Sequence, residues 1–220
     1  MGAGELNPQR EPLFLAPWPV MALLAVILGA FALQSYIGVE VVAAGLGFSA
    51  QALARGDYAP LVVALFLHGG WAHVLVNAAF ILAFATPVAR RFGPDPLGVT
   101  VFYGFYLVCG VAANLGYAAA YPSSQAVVVG ASGAAAGLMA AASRLMGPGP
   151  GLAPFLSRPV LSLAGAFLAI NLLLAFMGGF AGAALAPGSN GEPVAWVAHL
   201  VGYAAGLILF EPLLRLMKRV

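Results

Sequence analysis

The chain holds three histidines, His68, His73 and His199, each in or beside an apolar stretch. Ser132 lies in the run Gly130-Ala131-Ser132-Gly133, and Asn77 stands four residues after His73. A serine hydroxyl is a poor nucleophile until a base takes its proton. Neutral imidazole, with an ordinary pKa of about 6.5, suits that task. An attacked carbonyl oxygen gathers negative charge and needs hydrogen-bond donors aimed at it. Ser132 and His199 are therefore the candidate nucleophile and general base. The Asn77 amide, the His73 ring and the backbone N–H of Ser132 are the candidate oxyanion donors. No Asp or Glu lies deep in an apolar stretch, so a Ser–His pair is expected rather than a triad ending in a carboxylate.

These residues are set in a chain that water cannot cover. Of 220 residues, 62% are hydrophobic and only 7% charged, with a mean hydropathy of +0.98. A soluble domain carries roughly 25% charged residues, so lipid must cover much of this surface. The expected fold is all-α, a polytopic bundle of six transmembrane helices. Six stretches approach the roughly 20 apolar residues that a span needs: 17–37, 71–89, 97–120, 127–146, 159–181 and 194–214. Together they make a membrane domain over 17–214, flanked by a segment 1–16 and a tail 215–220. The first stretch outruns the apolar core of a secretory signal, about 7–15 residues, and is expected to be retained. Small residues around Ala43–Gly45 leave cleavage open. Between the first two spans, 38–70 is broken by Gly45, Gly47, Gly56 and Pro60 and is expected as a loop in or against the membrane interface.

Orientation follows from the basic residues. With the N-terminus inside, Arg10, Arg90, Arg91, Arg144, Arg158, Arg215, Lys218 and Arg219 fall on the cytoplasmic side, and only Arg55 falls outside. That distribution obeys the positive-inside rule with both termini cytoplasmic. The Pro- and Gly-rich stretch 147–154 is then a cytoplasmic linker, and 182–193 an external loop. Depth follows in turn. The second span enters from outside near Trp71, the fourth near Val127 and the sixth near Val194. At 1.5 Å per residue, Ser132 and His199 each lie about 7 Å down, level with His73 and Asn77. His73 and Asn77 share a helix face. His199, Gly202 and Gly206 share another. Gly133 and Gly137, extended by Ala140 and Ala141, form a small-residue ridge that lets helices approach closely.

The motifs resemble those of one family. His68-Gly69-Gly70-Trp71-Ala72-His73-Val74-Leu75-Val76-Asn77 resembles the H-x4-H-x3-N signature of rhomboid proteases. Gly130-Ala131-Ser132-Gly133 is similar to their G-x-S-G motif, and His199-Leu200-Val201-Gly202-Tyr203-Ala204-Ala205-Gly206 to their final H-x2-G-x3-G. All three occur in family order, and the similarity spans roughly 17–214. The resemblance implies an intramembrane serine endopeptidase acting in or near transmembrane segments of protein substrates. It implies Ser132 as nucleophile, His199 as base, and His73 and Asn77 around the oxyanion. Two positions depart from the family pattern. A Trp-Arg pair usual before the first histidine reads Ala59-Pro60, and an aromatic usual one turn after the serine, stacked on the histidine, is Ala136. His199 is then to be oriented by another group, or held less firmly.

Plainer readings stand beside these. Ser132 could be a packing serine, His199 a buried structural histidine, and Asn77 and His73 interhelical hydrogen-bond partners. His68 is expected to be structural, Asn114 and Asn171 to be packing residues, Cys109 to be core, and Arg90-Arg91 to anchor topology. A zinc protease would want H-E-x-x-H, which is absent. Asp57 and Asp95 lie in loops, where an aspartyl intramembrane protease would need them deep in spans. A transporter would need a polar path near the midplane. The main alternative is a catalytically silent rhomboid-like protein that binds client helices. The expected partners are the bilayer and transmembrane-helix proteins. No nucleic acid, metal or cofactor is expected, and the sequence sets no oligomeric state. A compact six-span chain suits a bacterial inner membrane.

Overall fold

The computed structural model describes residues 16–177 and 195–219. Nine α-helices run through them: α1 Trp18–Ile37, α2 Val39–Leu46, α3 Ala50–Ala54, α4 Pro60–Val63, α5 Trp71–Phe92, α6 Pro96–Ala120, α7 Ser132–Ser143, α8 Arg158–Met177 and α9 Trp196–Leu216. The all-α reading holds, and five helices are long and apolar enough to cross a membrane: α1, α5, α6, α8 and α9. The expected segment 1–16 (but for Ala16), the end of the fifth span and the loop 182–193 lie outside the described residues.

The expected fourth span needs correction. In place of a helix over 127–146, α7 begins at Ser132 and ends at Ser143. Its 12 residues make it about 18 Å long, short of the roughly 30 Å hydrocarbon core. The chain ahead of it is extended. Phe48 and Val128 exchange both backbone hydrogen bonds, at 3.0 and 2.7 Å, and the Gly130 N–H donates to the Ala64 carbonyl at 2.9 Å. These bonds hold 128–130 against the α3–α4 region and delay the helix until Ser132. A short helix is tolerable here because it does not meet lipid: every residue from Gly133 to Ser143 is buried.

Small side chains let α7 be enclosed. Helices α5, α6 and α9 surround it, with α8 packed more lightly. A Cβ placed on Gly206 would run into the backbone of Gly137, and one on Gly202 into the Gly133 carbonyl. A Cβ on Gly137 would come within 2.6 Å of Cys109 Sγ. Helices α7 and α9 therefore touch backbone to backbone, the arrangement small residues permit inside membranes. At the end away from Ser132 the same pair is clamped by charge. Arg144 Nη2 meets Glu211 Oε2 at 2.7 Å, its Nε donates to the Ala153 carbonyl at 2.5 Å, and its guanidinium lies 3.9 Å from the Phe155 ring centroid. Arg215 shares Glu211 at 2.5 Å. Arg219 binds Asp95 and the Phe92 carbonyl, closing the end of α9 on the α5–α6 turn.

The segment 38–70 is not a plain loop. It folds into α2, α3, α4 and a 3-10 turn at Ala64–Phe66. Its apolar part is pressed into the bundle: Ala64, Leu65 and Leu67 are buried, with Leu65 seated over Gly110 of α6. The Asn114 amide donates to the Leu61 carbonyl at 3.0 Å, and Gln34 of α1 brackets His68, accepting from its N–H at 2.9 Å and donating to its carbonyl at 3.0 Å. The backbone groups of a short irregular segment thus find partners in side chains of the long helices.

The glycine contact generates a test. Gly206→Val puts two methyl groups against backbone that cannot give, and overpacking of this kind costs about 1–3 kcal/mol or more. The purified variant in detergent should melt well below the parent, and an unchanged melting temperature would mean that α7 and α9 are not held this closely.

Candidate functional site

Ser132 is the first residue of α7, and the residue before it offers no side-chain cap. The first N–H groups of a helix have no intrahelical acceptor. The Ser132 N–H is one of them, so the helix start presents donors and its positive dipole end where Ser132 stands. Ser132 itself is half-buried, unlike the eleven residues that follow it in α7.

His199 sits in the first turn of α9. Its Nε2 lies 2.8 Å from Ser132 Oγ. The glycine contact one and two turns further along α9 brings the two backbones close enough for that bond. The other ring nitrogen, Nδ1, lies 2.8 Å from Oδ1 of Asn171 on α8. The Asn171 Nδ2 group donates to the Phe167 carbonyl at 2.8 Å. With its amine end so engaged, the amide turns its oxygen, an acceptor only, to His199. Nδ1 must then carry the proton, leaving the Nε2 lone pair to accept from the Ser132 hydroxyl.

Asn171 was expected to be a packing residue, and its contact with His199 was not foreseen. Counting depth from the near end of the helix would have found it. Thirteen residues beyond Arg158 it lies about 20 Å up, close to the level of His199. The aromatic missing at Ala136 is not replaced by a stacked ring: Phe167 comes nearest, 6.5 Å between centroids and tilted by 45°, while stacking on Tyr203 at 5.1 Å.

His73 and Asn77 sit on the facing helix α5. The Gly69 N–H donates to His73 Nδ1 at 3.3 Å, which leaves Nε2 as the protonated nitrogen. That nitrogen faces Gly130, where a Cβ would come within 2.9 Å of it. Gly130 also has φ +127°, a conformation that favours glycine. Asn77 is buried, and its Nδ2 donates to the His73 carbonyl at 3.0 Å. Among the described residues no hydrogen bond joins His73 or Asn77 to Ser132. His68 is buried, its ring edge-on to His73 at 5.1 Å, and it accepts a long hydrogen bond from the Ala131 N–H at 3.5 Å. Among the described residues no group of His, Cys, Asp or Glu side chains is arranged to hold a metal ion.

The order of these elements, with Ser132 on a short enclosed helix and His199 on the last described one, coincides with a wider match. Residues 55–215 fit the family model of the Rhomboid domain. The chain belongs to the rhomboid family. No curated protein sequence matches it. As a rhomboid it is an integral, multi-pass membrane protein, and the matched region takes in α5 to α9 together with Ser132, His199, His73, Asn77 and Asn171.

Gly130 offers a direct test of how this rhomboid site is held. Gly130→Ala combines an unfavourable φ with a methyl group against the His73 ring. Such backbone strain costs about 1–3 kcal/mol, so the variant should melt lower than the parent. Equal stability would mean the turn before Ser132 does not need glycine.

Proposed function

We propose that the protein is an intramembrane serine endopeptidase that hydrolyses peptide bonds in or near transmembrane segments of other membrane proteins. The observation that carries this reading is the 2.8 Å approach of Ser132 Oγ to His199 Nε2. In the proposed reaction Ser132 Oγ attacks the scissile carbonyl carbon while its proton passes to His199 Nε2. The carbonyl π electrons move to oxygen, giving a tetrahedral oxyanion. When that intermediate collapses, the C–N bond breaks and His199 returns the proton to the leaving amine. A water, deprotonated by the same nitrogen, then attacks the acyl ester, and collapse releases the acid and restores Ser132.

In this reading the oxyanion is held by the Ser132 N–H and by the Nε2–H of His73, which lies across Gly130 from Ser132, with the Asn77 amide as a further donor. Donors of this kind act in a site shielded from bulk water, where each is worth more than at a surface. The proposed setting is a bacterial inner membrane with both termini cytoplasmic. Arg90 and Arg91 at the end of α5, Arg144 just after α7, Arg158 at the start of α8 and Arg215 near the end of α9 gather at the end of the bundle away from Ser132, which supports that orientation. In the same reading, 17–214 is the membrane domain and the segments 1–16 and 215–220 face the cytoplasm. The silent-relative reading would suit a chain that had lost the serine or the histidine, and both are here.

Two experiments bear on this. Purified protein in detergent should cleave single-span model substrates and take a fluorophosphonate label. Ser132→Ala and His199→Ala should each abolish cleavage while inserting and expressing normally, and ordinary cleavage by Ser132→Ala would sink the assignment. For Asn77, loss of an oxyanion donor costs on the order of 100- to 1,000-fold in kcat. Asn77→Ala should lower kcat to that extent with little change in KM, and His73→Ala should lower it less. If Asn77 only joins helices, its removal instead costs about 0.5–2 kcal/mol of stability and leaves the kcat of the folded fraction intact.

A further inference from the structure

Helix α8 is the least buried of the long described helices. Only 11% of its span is buried inside the bundle, against 33–39% for the other four. Among its described residues only Val160 and Asn171 are buried. An amide at membrane depth is costly unless its polar atoms are paired. A helix that turns almost everything outward but brings one asparagine in is placing that asparagine for a partner. The partner is His199, and the pairing is fully specified: Nδ2 to the Phe167 carbonyl, Oδ1 to His199 Nδ1, both at 2.8 Å.

We propose that Asn171 is a positioning residue for the reaction, holding His199 as the Nδ1–H tautomer so that Nε2 can take the Ser132 proton. The proposal rests on the protease reading above and deepens it: the expected two-residue machinery gains a third residue, on a third helix, that orients the histidine. The Phe167 carbonyl is part of the device. A flipped amide would offer N–H to Nδ1, put the ring proton on Nε2 and leave Ser132 without a base. The bond of Nδ2 to Phe167 opposes that flip. Asn171 also does what the absent ring at Ala136 cannot. With no aromatic face against the imidazole from α7, a hydrogen bond from α8 fixes its plane.

The test joins a kinetic and a spectroscopic reading on one set of variants. A positioned base is worth about 100- to 10,000-fold, and losing its orientation alone should forfeit on the order of 10- to 100-fold. Asn171→Leu, similar in size but without an acceptor, should lower kcat by that amount with KM nearly unchanged. Asn171→Asp, which restores an acceptor, should recover most of the loss. In protein with 15N-labelled histidine, His199 (identified by its loss in His199→Ala) should be the Nδ1–H tautomer in the parent and a mixture in Asn171→Leu. A His199 found as Nε2–H in the parent overturns the proposal, whatever the activity. So does Asn171→Leu with parental kcat and only a lowered melting temperature, or Asn171→Asp no better than Asn171→Leu. A parent with the Nδ1–H tautomer, the tautomer lost in Asn171→Leu, but no cleavage and no label on Ser132, would instead overturn the protease reading and leave the pairing standing.

Discussion

The backbone contact between α7 and α9 is the constraint on which the rest depends. A hydrogen bond between side chains as short as serine and histidine requires two helices whose axes nearly touch. Here Gly202 and Gly206 lie against the backbone of Gly133 and Gly137, and no larger residue could stand at those positions without prising the pair apart. In a bilayer the hydrophobic effect does not press helices together, so close packing and polar contacts must do so. The remaining design follows. Because α7 has no bulky side chains, three neighbouring helices can close around it. Because it is closed, its start can be buried in the bundle and held by the extended chain from Phe48 to Gly130 instead of by lipid.

The two ends of this helix pair are stabilised by different physics. At one end stand neutral polar groups whose hydrogen bonds run through Ser132, His199 and Asn171. At the other, Arg144, Glu211 and Arg215 form an ion-pair cluster with Arg144 itself buried. Removing one partner from such a pair strands a charge, which is costly. The charged clamp and the Ser132–His199 contact are thus separated along the same helices, and the clamped end gives the other a fixed reference.

Much of this was legible in the sequence, and the reasons are specific. Hydropathy and the glycine spacing set the long helices and the α7–α9 contact, because apolar length and small-residue ridges are local properties. The pairing of Ser132 with His199 was reached by counting depth, although the count at Ser132 assumed a helix from Val127 where the chain is extended. Three features escaped. The length of α7 did, because Val127–Val129 are apolar enough to read as helix, and only the tertiary bridge to Phe48 makes them extended. The short helices in 38–70 did, because the glycines that break the segment also divide it into turns that the bundle then buries. The partnership of Asn171 did, because it depends on how far α8 is rotated, and a helix turned mostly to lipid carries little periodic signal to fix its rotation.

The chain order of the site has a consequence for biosynthesis. Ser132 lies past the middle of the described chain and precedes His199, on the last described helix, by 67 residues. The ridge of α7 has its closest complement in Gly202 and Gly206, which do not exist until that last helix is translated. Until then α7 can pack against α5 and α6, but Ser132 has no His199 beside it. The Ser132–His199 hydrogen bond therefore forms only once α9 is in place, so the closing of the helix pair and the pairing of these two residues are the same event.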